Sequence, residues 1–398
     1  MRSVRTPLDP GLRSLDLLLD PDELSALFNR PVRTSHLRWK RGTSAVARLH
    51  DDDGVRWIAL YSAEASVKLE KTGRRALDWN LPLERFALDD GVLASGPIPL
   101  DPRLHGALQP FRRQAIAVPS PRARVLKYNP LRRVVVDMMS DRARLVGRVS
   151  AAGHSMSRTM LSHLVEGGVP VLVPLDPALL PPGTPCGKHV EYLPWYGTGD
   201  LSTVSGPEAQ SPAHSAGTAL AVLHRQLPVH RTQAWRAPAG RLRSLVRENA
   251  ELMPENLDRL EQVRSRLEGL LRRPGRAAVI HGDFSADQVL VNGAEVRLID
   301  FERCSYGAAA SDLGSFAAVE ALEAGDSCRN TVLELPRTAA LLSGYGADAD
   351  ADAGSESEIL AWTVFFLLNR LREPFRSCRP GWRQHMEDRL GMIEEVLW

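Results

Sequence analysis

Between residues 277 and 303 the chain reads AAVIHGDFSADQVLVNGAEVRLIDFER, and the order of residue types there leaves few folds open. An apolar run, AAVI at 277 to 280, gives way to a polar loop containing Asp283. A second run, QVLV at 288 to 291, is joined through Asn292-Gly293 to EVRLI, which ends in Asp300. Asn-Gly between two short β-prone runs is a strong hairpin signal, because both residues tolerate the positive φ that tight turns need. The spacing predicts a hairpin over 288 to 299, with Gln288 and Asp300 at its open end, near each other and near Asp283. Two carboxylates and a side-chain carbonyl are expected to converge.

Such a group suits phosphoryl transfer. That reaction needs Mg2+ bridging nucleotide phosphates, held by a few oxygen ligands that leave other positions open, and a separate carboxylate that aligns the acceptor hydroxyl. Asp300 and Gln288 supply the metal ligands in this reading, and Asp283 orients the hydroxyl.

The surrounding chain divides by texture. Its 398 residues exceed the roughly 100 to 200 of a typical single domain, so two lobes are expected. In the first half, 44 to 49, 55 to 61, 132 to 138 and 143 to 149 are β-branched or aromatic runs between turn residues, the pattern of antiparallel hairpins. Laid on itself at an offset of 89, the chain places Leu37-Arg38-Trp39-Lys40 on Leu126-Lys127-Tyr128-Asn129 and Val46 on Val135, as a duplicated hairpin would. From about 213 the texture is helical. Residues 213 to 227 set Ala216, Leu220, Leu223 and Leu227 on one face, and 256 to 272 do the same with Leu257, Leu260, Val263, Leu267 and Leu270. A further helical stretch covers 359 to 397. Residues 202 to 212 read as a linker or loop, and 347 to 358 (ADADADAGSESE) as an acidic loop.

Composition excludes several classes. Fifty Lys and Arg against 48 Asp and Glu leave a net charge of +2, too balanced for the basic field of a nucleic-acid binder. The cations are unevenly divided, with five lysines among them, a bias of GC-rich coding. Four scattered cysteines, Cys186, Cys304, Cys328 and Cys378, show no metal or disulfide spacing and fit a reducing cytoplasm. The N-terminus has no signal-peptide core, and the best apolar run, 359 to 368, is far short of the roughly 20 residues that span a bilayer. A cytoplasmic protein without nucleic-acid or membrane partners is the expectation.

His281-Gly282-Asp283, Gln288 and Ile299-Asp300-Phe301-Glu302 resemble the HGDxxxxN and IDFE signatures of the aminoglycoside phosphotransferase and choline kinase family. Glu191-Tyr192-Leu193 resembles that family's hinge between lobes, ALAVLHRQL its LARLH helix, and Gly307 with Asp312-Leu313 its GDPxxDL element. The resemblance implies a two-lobed α+β protein-kinase-like fold, with a mainly antiparallel N-lobe and a mainly helical C-lobe; the self-match at 89 residues adds the expectation of a duplicated hairpin in the N-lobe. It places an N-lobe at 111 to 190 and a C-lobe at 191 to 398. Residues 1 to 110 look like the extra N-terminal hairpin module of some actinobacterial relatives. By the same resemblance Asp283 is the catalytic Asp, Asp300 the main Mg2+ ligand, and His281 and Asp312 supports of the catalytic loop. The nucleotide, ATP or GTP, is expected in the cleft with its base near Glu191, Tyr192 and Leu193.

Three departures from the family pattern stand out. Gln288 replaces the usual Asn, keeping an amide oxygen on a stem one methylene longer. Arg148 stands where the family has the phosphate-binding Lys, and Lys127 on the first strand of the same hairpin is a rival contact. The segment 151 to 165 offers no carboxylate to fix that cation before Glu166.

His214, His224 and His230 are spaced unlike a helical metal pair and read as core or boundary residues. Arg370, Arg372, Arg376, Arg379 and Arg383 form a basic face, solvated or able to hold an anionic substrate or partner segment; Asp348, Asp350, Asp352, Glu356 and Glu358 form a solubilising loop or an attractor for a polyamine. The leading expectation is transfer of a γ-phosphate to a hydroxyl of a small molecule such as a sugar, aminoglycoside or other antibiotic-like metabolite. The alternatives are transfer to Ser or Thr of a biosynthetic peptide with a partner protein, and a nucleotide-binding scaffold without turnover.

Overall fold

The β-prone runs of the first half become two antiparallel sheets. The computed structural model describes residues 8–139, 143–153, 158–228, 238–272, 275–325, 332–348, 352 and 354–398. The chain divides into two units: Met1–His154 with Pro174–Trp195 and Glu373–Trp382, and Ser155–Val173 with Tyr196–Arg372 and Arg383–Trp398.

The first unit opens with α1 (Pro21–Phe28), capped by Asp20, whose carboxylate accepts from the backbone N–H of Asp22 and Glu23. Strands β1 (Arg33–Lys40), β2 (Ser44–Asp51) and β3 (Gly54–Ser62) precede α2 (Lys68–Trp79), and β4 (Glu84–Leu88) and β5 (Gly91–Pro97) complete a sheet in the order β1-β2-β3-β5-β4. After α3 (Gln109–Arg113), β6 (Ala123–Asn129), β7 (Arg133–Met139), β8 (Arg144–Ser150) and β9 (Val190–Pro194) form the second sheet in sequence order. The same strand register recurs in the two sheets. Arg38 faces Val46, which faces Ala59; Lys127 faces Val135, which faces Arg148, every position displaced by 89 residues (38 to 127, 46 to 135, 59 to 148). Both first strands also carry a bulge at matching places, between Ser35 and Arg38 and between Val125 and Lys127.

The two sheets use the equivalent faces differently. On the first sheet Val46, Ala59 and Ala94 are buried and join one apolar cluster with Val134, Val136, Val149 and Val190 of the second. On the second sheet the face carrying Lys127, Val135 and Arg148 is the less buried one. The first sheet therefore backs the second, and Asp101 ties them: its carboxylate accepts from Tyr128 Oη at 2.7 Å and from the backbone N–H of Leu131 at 2.8 Å.

The second unit is mainly helical: α4 (Arg158–Glu166), α5 (Gln210–His224), α6 (Ala239–Ala250), α7 (Leu257–Leu270), α8 (Ala309–Ala324), α9 (Pro336–Gly346) and α10 (Glu356–Arg370), with α11 (Glu373–Arg376) lying in the first unit and α12 (Trp382–Leu397) closing the chain. Its short strands are β10 (Gly199–Asp200), β11 (Ala277–Ile280), β12 (Val289–Asn292), β13 (Glu295–Leu298) and β14 (Ser305–Ala308). The expected helix faces hold at Ala216, Leu220, Leu223, Leu260, Val263 and Leu267, all fully buried. They fail at the ends: α5 stops at His224 and Leu227 is 76% exposed, since Pro228 disfavours helix in the residue before it. Leu257 and Leu270, at the two ends of α7, are exposed as well. Helices α5 and α9 touch backbone to backbone: a Cβ at Gly217 would lie 2.0 Å from the Leu341 carbonyl oxygen, and one at Gly344 1.9 Å from that of His214.

The segment 202 to 212 is not an open linker; it runs through two 3-10 turns into α5. Nor is the acidic stretch uniformly free. Asp348 pairs with Arg225, the Asp352 carboxylate accepts from the N–H of Gly354, and Ser355 caps α10. Asp350, Cys328 and His230 lie outside the described residues. Among the described residues no helix is long and apolar enough to cross a membrane.

Candidate active site

The catalytic hairpin forms where the sequence puts it, with one change at the turn. Val289 pairs with Leu298 and Asn292 with Glu295, so Asn292 stays in the ladder and the loop residues are Gly293 and Ala294. Gly293 has φ +61° and Ala294 is not among the positive-φ residues, as in a type II′ turn, where Gly takes the first central position. The hairpin is held on both sides: β10 pairs with β12, while the Leu298 N–H donates to the Pro170 carbonyl and the Leu172 N–H to the Leu298 carbonyl.

At its open end the Ile299 N–H donates to the Gln288 carbonyl at 3.0 Å, which keeps Gln288 beside the strand leading into Asp300. Gln288 is buried. Asp300 has φ +66° and ψ +46°, a left-handed conformation costly for a residue with a Cβ and often found at functional sites.

The loop leading to Asp283 hangs from Asp312 at the first turn of α8. The Asp312 carboxylate accepts from the backbone N–H of His281 at 2.6 Å and of Gly282 at 2.9 Å. Its Oδ2 also lies 3.1 Å from His224 Nε2, and His224 Nδ1 lies 2.9 Å from Tyr345 Oη. His281 points the other way. Its Nε2 is 2.8 Å from the Ile299 carbonyl oxygen, an acceptor only, so the ring donates there and links the catalytic loop to the strand before Asp300. The ring packs against Phe284 and Phe301. Burial and the Asp312 charge push the nearby Cys304 thiol up to about 12.

Asp283 itself is open, its side chain 39% exposed. Arg303 Nη1 stands 3.4 Å from Oδ2, and Arg370 Nη2 3.9 Å from Oδ1.

In the first unit, Lys127, Val135, Arg148 and Glu191 face one another across β6, β7, β8 and β9 in a single row. Directly opposed residues share a face of the sheet. Two cations and a carboxylate are thus aligned there, and Glu191 lies opposite Arg148 where the helix expected to fix it has no acid before its last residue, Glu166. Leu193 is half-buried on the same edge strand. Tyr192 points the opposite way: its side chain is buried, its hydroxyl donates to the Pro185 carbonyl and its own carbonyl accepts from Leu175.

Three participants had weak sequence signals. Tyr345 was unmarked, although the Gly-containing run before it is what lets α9 approach α5. Arg303 follows the IDFE string directly, and Arg370 looked like one cation of a solvated face; only the fold brings both to Asp283.

An antiparallel N-terminal region, a helical remainder and acids at the ends of a short hairpin make this an α+β, protein-kinase-like fold of kinase-type phosphotransferases. Residues 132–347, more than half of the sequence, match the phosphotransferase enzyme family, and the chain belongs to it. No curated protein matches it. Among solved structures it is similar to a spectinomycin phosphotransferase in complex with ADP and spectinomycin (14% identity, 69% of this chain and 88% of that one, TM-score 0.46). It is also similar to a choline/ethanolamine kinase family protein from Mesorhizobium loti (15% identity, 72% and 93%, TM-score 0.45) and to a glucosamine kinase (16% identity, 96% of both chains, TM-score 0.47).

Proposed function

We propose that this phosphotransferase moves the γ-phosphate of ATP or GTP to a hydroxyl of a small molecule in the cytoplasm. The observation that carries the reading is the double anchoring of one loop: Asp312 grips its start through two backbone N–H groups, and His281 joins it to the strand before Asp300. Asp283 is thereby presented on a fixed loop, as a carboxylate that must orient a hydroxyl requires.

Gln288 and Asp300 offer an amide oxygen and a carboxylate, hard donors that suit Mg2+. Among the described residues no cluster of three or more His, Cys, Asp or Glu could hold a metal unaided, in keeping with an ion that takes its other ligands from nucleotide phosphates and water. Bound there, Mg2+ would offset charge on the transferring phosphoryl group. Asp283 would accept a hydrogen bond from the acceptor hydroxyl and align it. Lys127 and Arg148 are the proposed contacts to the α- and β-phosphates, and Glu191 to Leu193 the strand beside the base.

The test is a melting titration with ATP and GTP, with and without Mg2+, on wild type and Asp300→Ala. A ligand at a hundredfold excess over Kd adds about 2.7 kcal/mol to the native state, which a melting curve resolves. A Mg2+-dependent rise that Asp300→Ala loses supports the site; no rise with either nucleotide refutes it. Asp283→Ala should keep the rise and lose transfer.

A further inference from the structure

The last turn of α10 and the segment after Asp300 set more positive charge beside Asp283 than one carboxylate balances. Arg303 and Arg370 stand 3.4 and 3.9 Å from its two oxygens, and at 3.9 Å Arg370 is beyond hydrogen-bond length. The Arg370 side chain is only 25% exposed, and its Nε is buried without a hydrogen-bond partner. The partly exposed Nη end, not the buried Nε, is the part of Arg370 that faces Asp283. The C-terminus of a helix favours cations in general, which accounts for an Arg at 370 but not for its aim at Asp283.

Of the neighbouring carboxylates, Asp300 is the proposed Mg2+ ligand, and Glu248 already receives Arg372 at 2.9 Å and Arg241 at 2.8 Å. The acidic stretch is at the opposite end of the same helix, since α10 runs from Glu356 to Arg370, about 20 Å at 1.5 Å per residue. There Asp348 is paired with Arg225 and Asp352 with the N–H of Gly354. A polyamine approaching Asp283 would meet guanidinium groups.

We propose that the molecule whose hydroxyl faces Asp283 also carries an anionic group, a phosphate or a carboxylate, and that Arg370 together with Arg303 binds it. The inference rests on the phosphotransferase reading above and names the substrate class for that site. Forked guanidinium donors match both anions, and a pair of them selects an acidic alcohol over an amino alcohol. The phosphates of the nucleotide are the other anion that could meet these side chains, so the test holds them apart.

Full-length protein is saturated with Mg2+ and the non-hydrolysable analogue AMP-PNP, and binding of inorganic phosphate, and separately of spermidine, is measured by equilibrium dialysis. Phosphate is expected to bind in the presence of AMP-PNP, with Kd raised at least tenfold in Arg370→Gln and raised also in Arg303→Gln, while spermidine does not bind. Phosphate that fails to bind, that binds both variants as tightly as wild type, or that is displaced by AMP-PNP overturns the proposal; in the last case the arginines serve the nucleotide. Spermidine binding to wild type overturns it too. Should Arg370→Gln melt early, Arg370→Lys, which keeps the charge and loses the fork, must still weaken phosphate. If neither AMP-PNP nor GMP-PNP binds, the function proposed above falls, and dialysis with phosphate alone still decides whether Arg370 and Arg303 form an anion site.

Discussion

The carboxylate of Asp312 and the backbone of His281 meet at 2.6 Å, thirty-one residues apart in sequence, and this contact fixes where the loop bearing Asp283 begins. Asp312 is fully buried and also receives Gly282 and His224, so removing it strands three polar groups at once. Asp312→Ala should cost about 3 kcal/mol or more, in line with leaving buried donors unmatched. Thermal melts measure that loss. Tyr345→Phe, which removes only the far end of the chain through His224, should cost about 1 kcal/mol, and equal losses from both would mean that Asp312 does not anchor the loop.

Arg148 and Lys127 stand in one row with Glu191, and both are proposed phosphate contacts. Arg148→Ala is expected to raise the nucleotide Kd about tenfold, equivalent to roughly 1.4 kcal/mol. Arg148→Lys should recover part of it. Calorimetry on the two alanine variants decides between the cations: a loss with Lys127→Ala and none with Arg148→Ala would give the role to Lys127.

How much of this the sequence disclosed depended on the range of the interactions. The hairpin at 288 to 299 was legible because turn chemistry and β-prone runs act over a few residues, and its one misreading, Asn292 as a turn residue, was a shift by a single position. The strands at 44 to 49 and 132 to 138 were legible for the same reason. The meeting of Arg370 with Asp283 was not, because it joins the end of α10 to a loop 87 positions earlier, and neither residue carries a local mark of the other. Tyr192 shows the same limit. Its place in a string resembling a hinge said nothing about which face of β9 its ring would take, and the strand's alternation turned it into the core.

His50, on β2, bonds Ser35 and is pushed down to about 4, first by burial and then by the charges of Arg33 and Arg48. The unfolded chain takes up this proton below its ordinary value near 6.5, while the folded chain resists until about 4. Stability should therefore fall as pH drops from 6.5 towards 4. His36, also pushed down to about 4 by burial, acts in the same window, so His50→Gln should make that part of a stability-against-pH curve, obtained by urea titration, shallower without abolishing it. A variant curve parallel to wild type through this window would mean that His50 is not the group responsible.

Ala59 occupies in the first sheet the place that Arg148 occupies in the second, at the same register against Val46 and Val135 respectively. The equivalence makes a sharp contrast available. Ala59 is 0% exposed and lies in the cluster shared by the two sheets, so a cation there would be cut off from water. Ala59→Arg, which gives the first sheet the residue found at this register in the second, should destabilise the protein by about 3 to 5 kcal/mol through overpacking and a buried charge. Arg148→Ala, on the less buried face, should change stability by no more than about 1 kcal/mol. Urea titration of the two variants compares them directly. If Ala59→Arg unfolds with wild type, the first sheet does not back the second through this face; if it unfolds early while Arg148→Ala does not, the equivalent register position is a packing surface in the first sheet and a less buried one in the second.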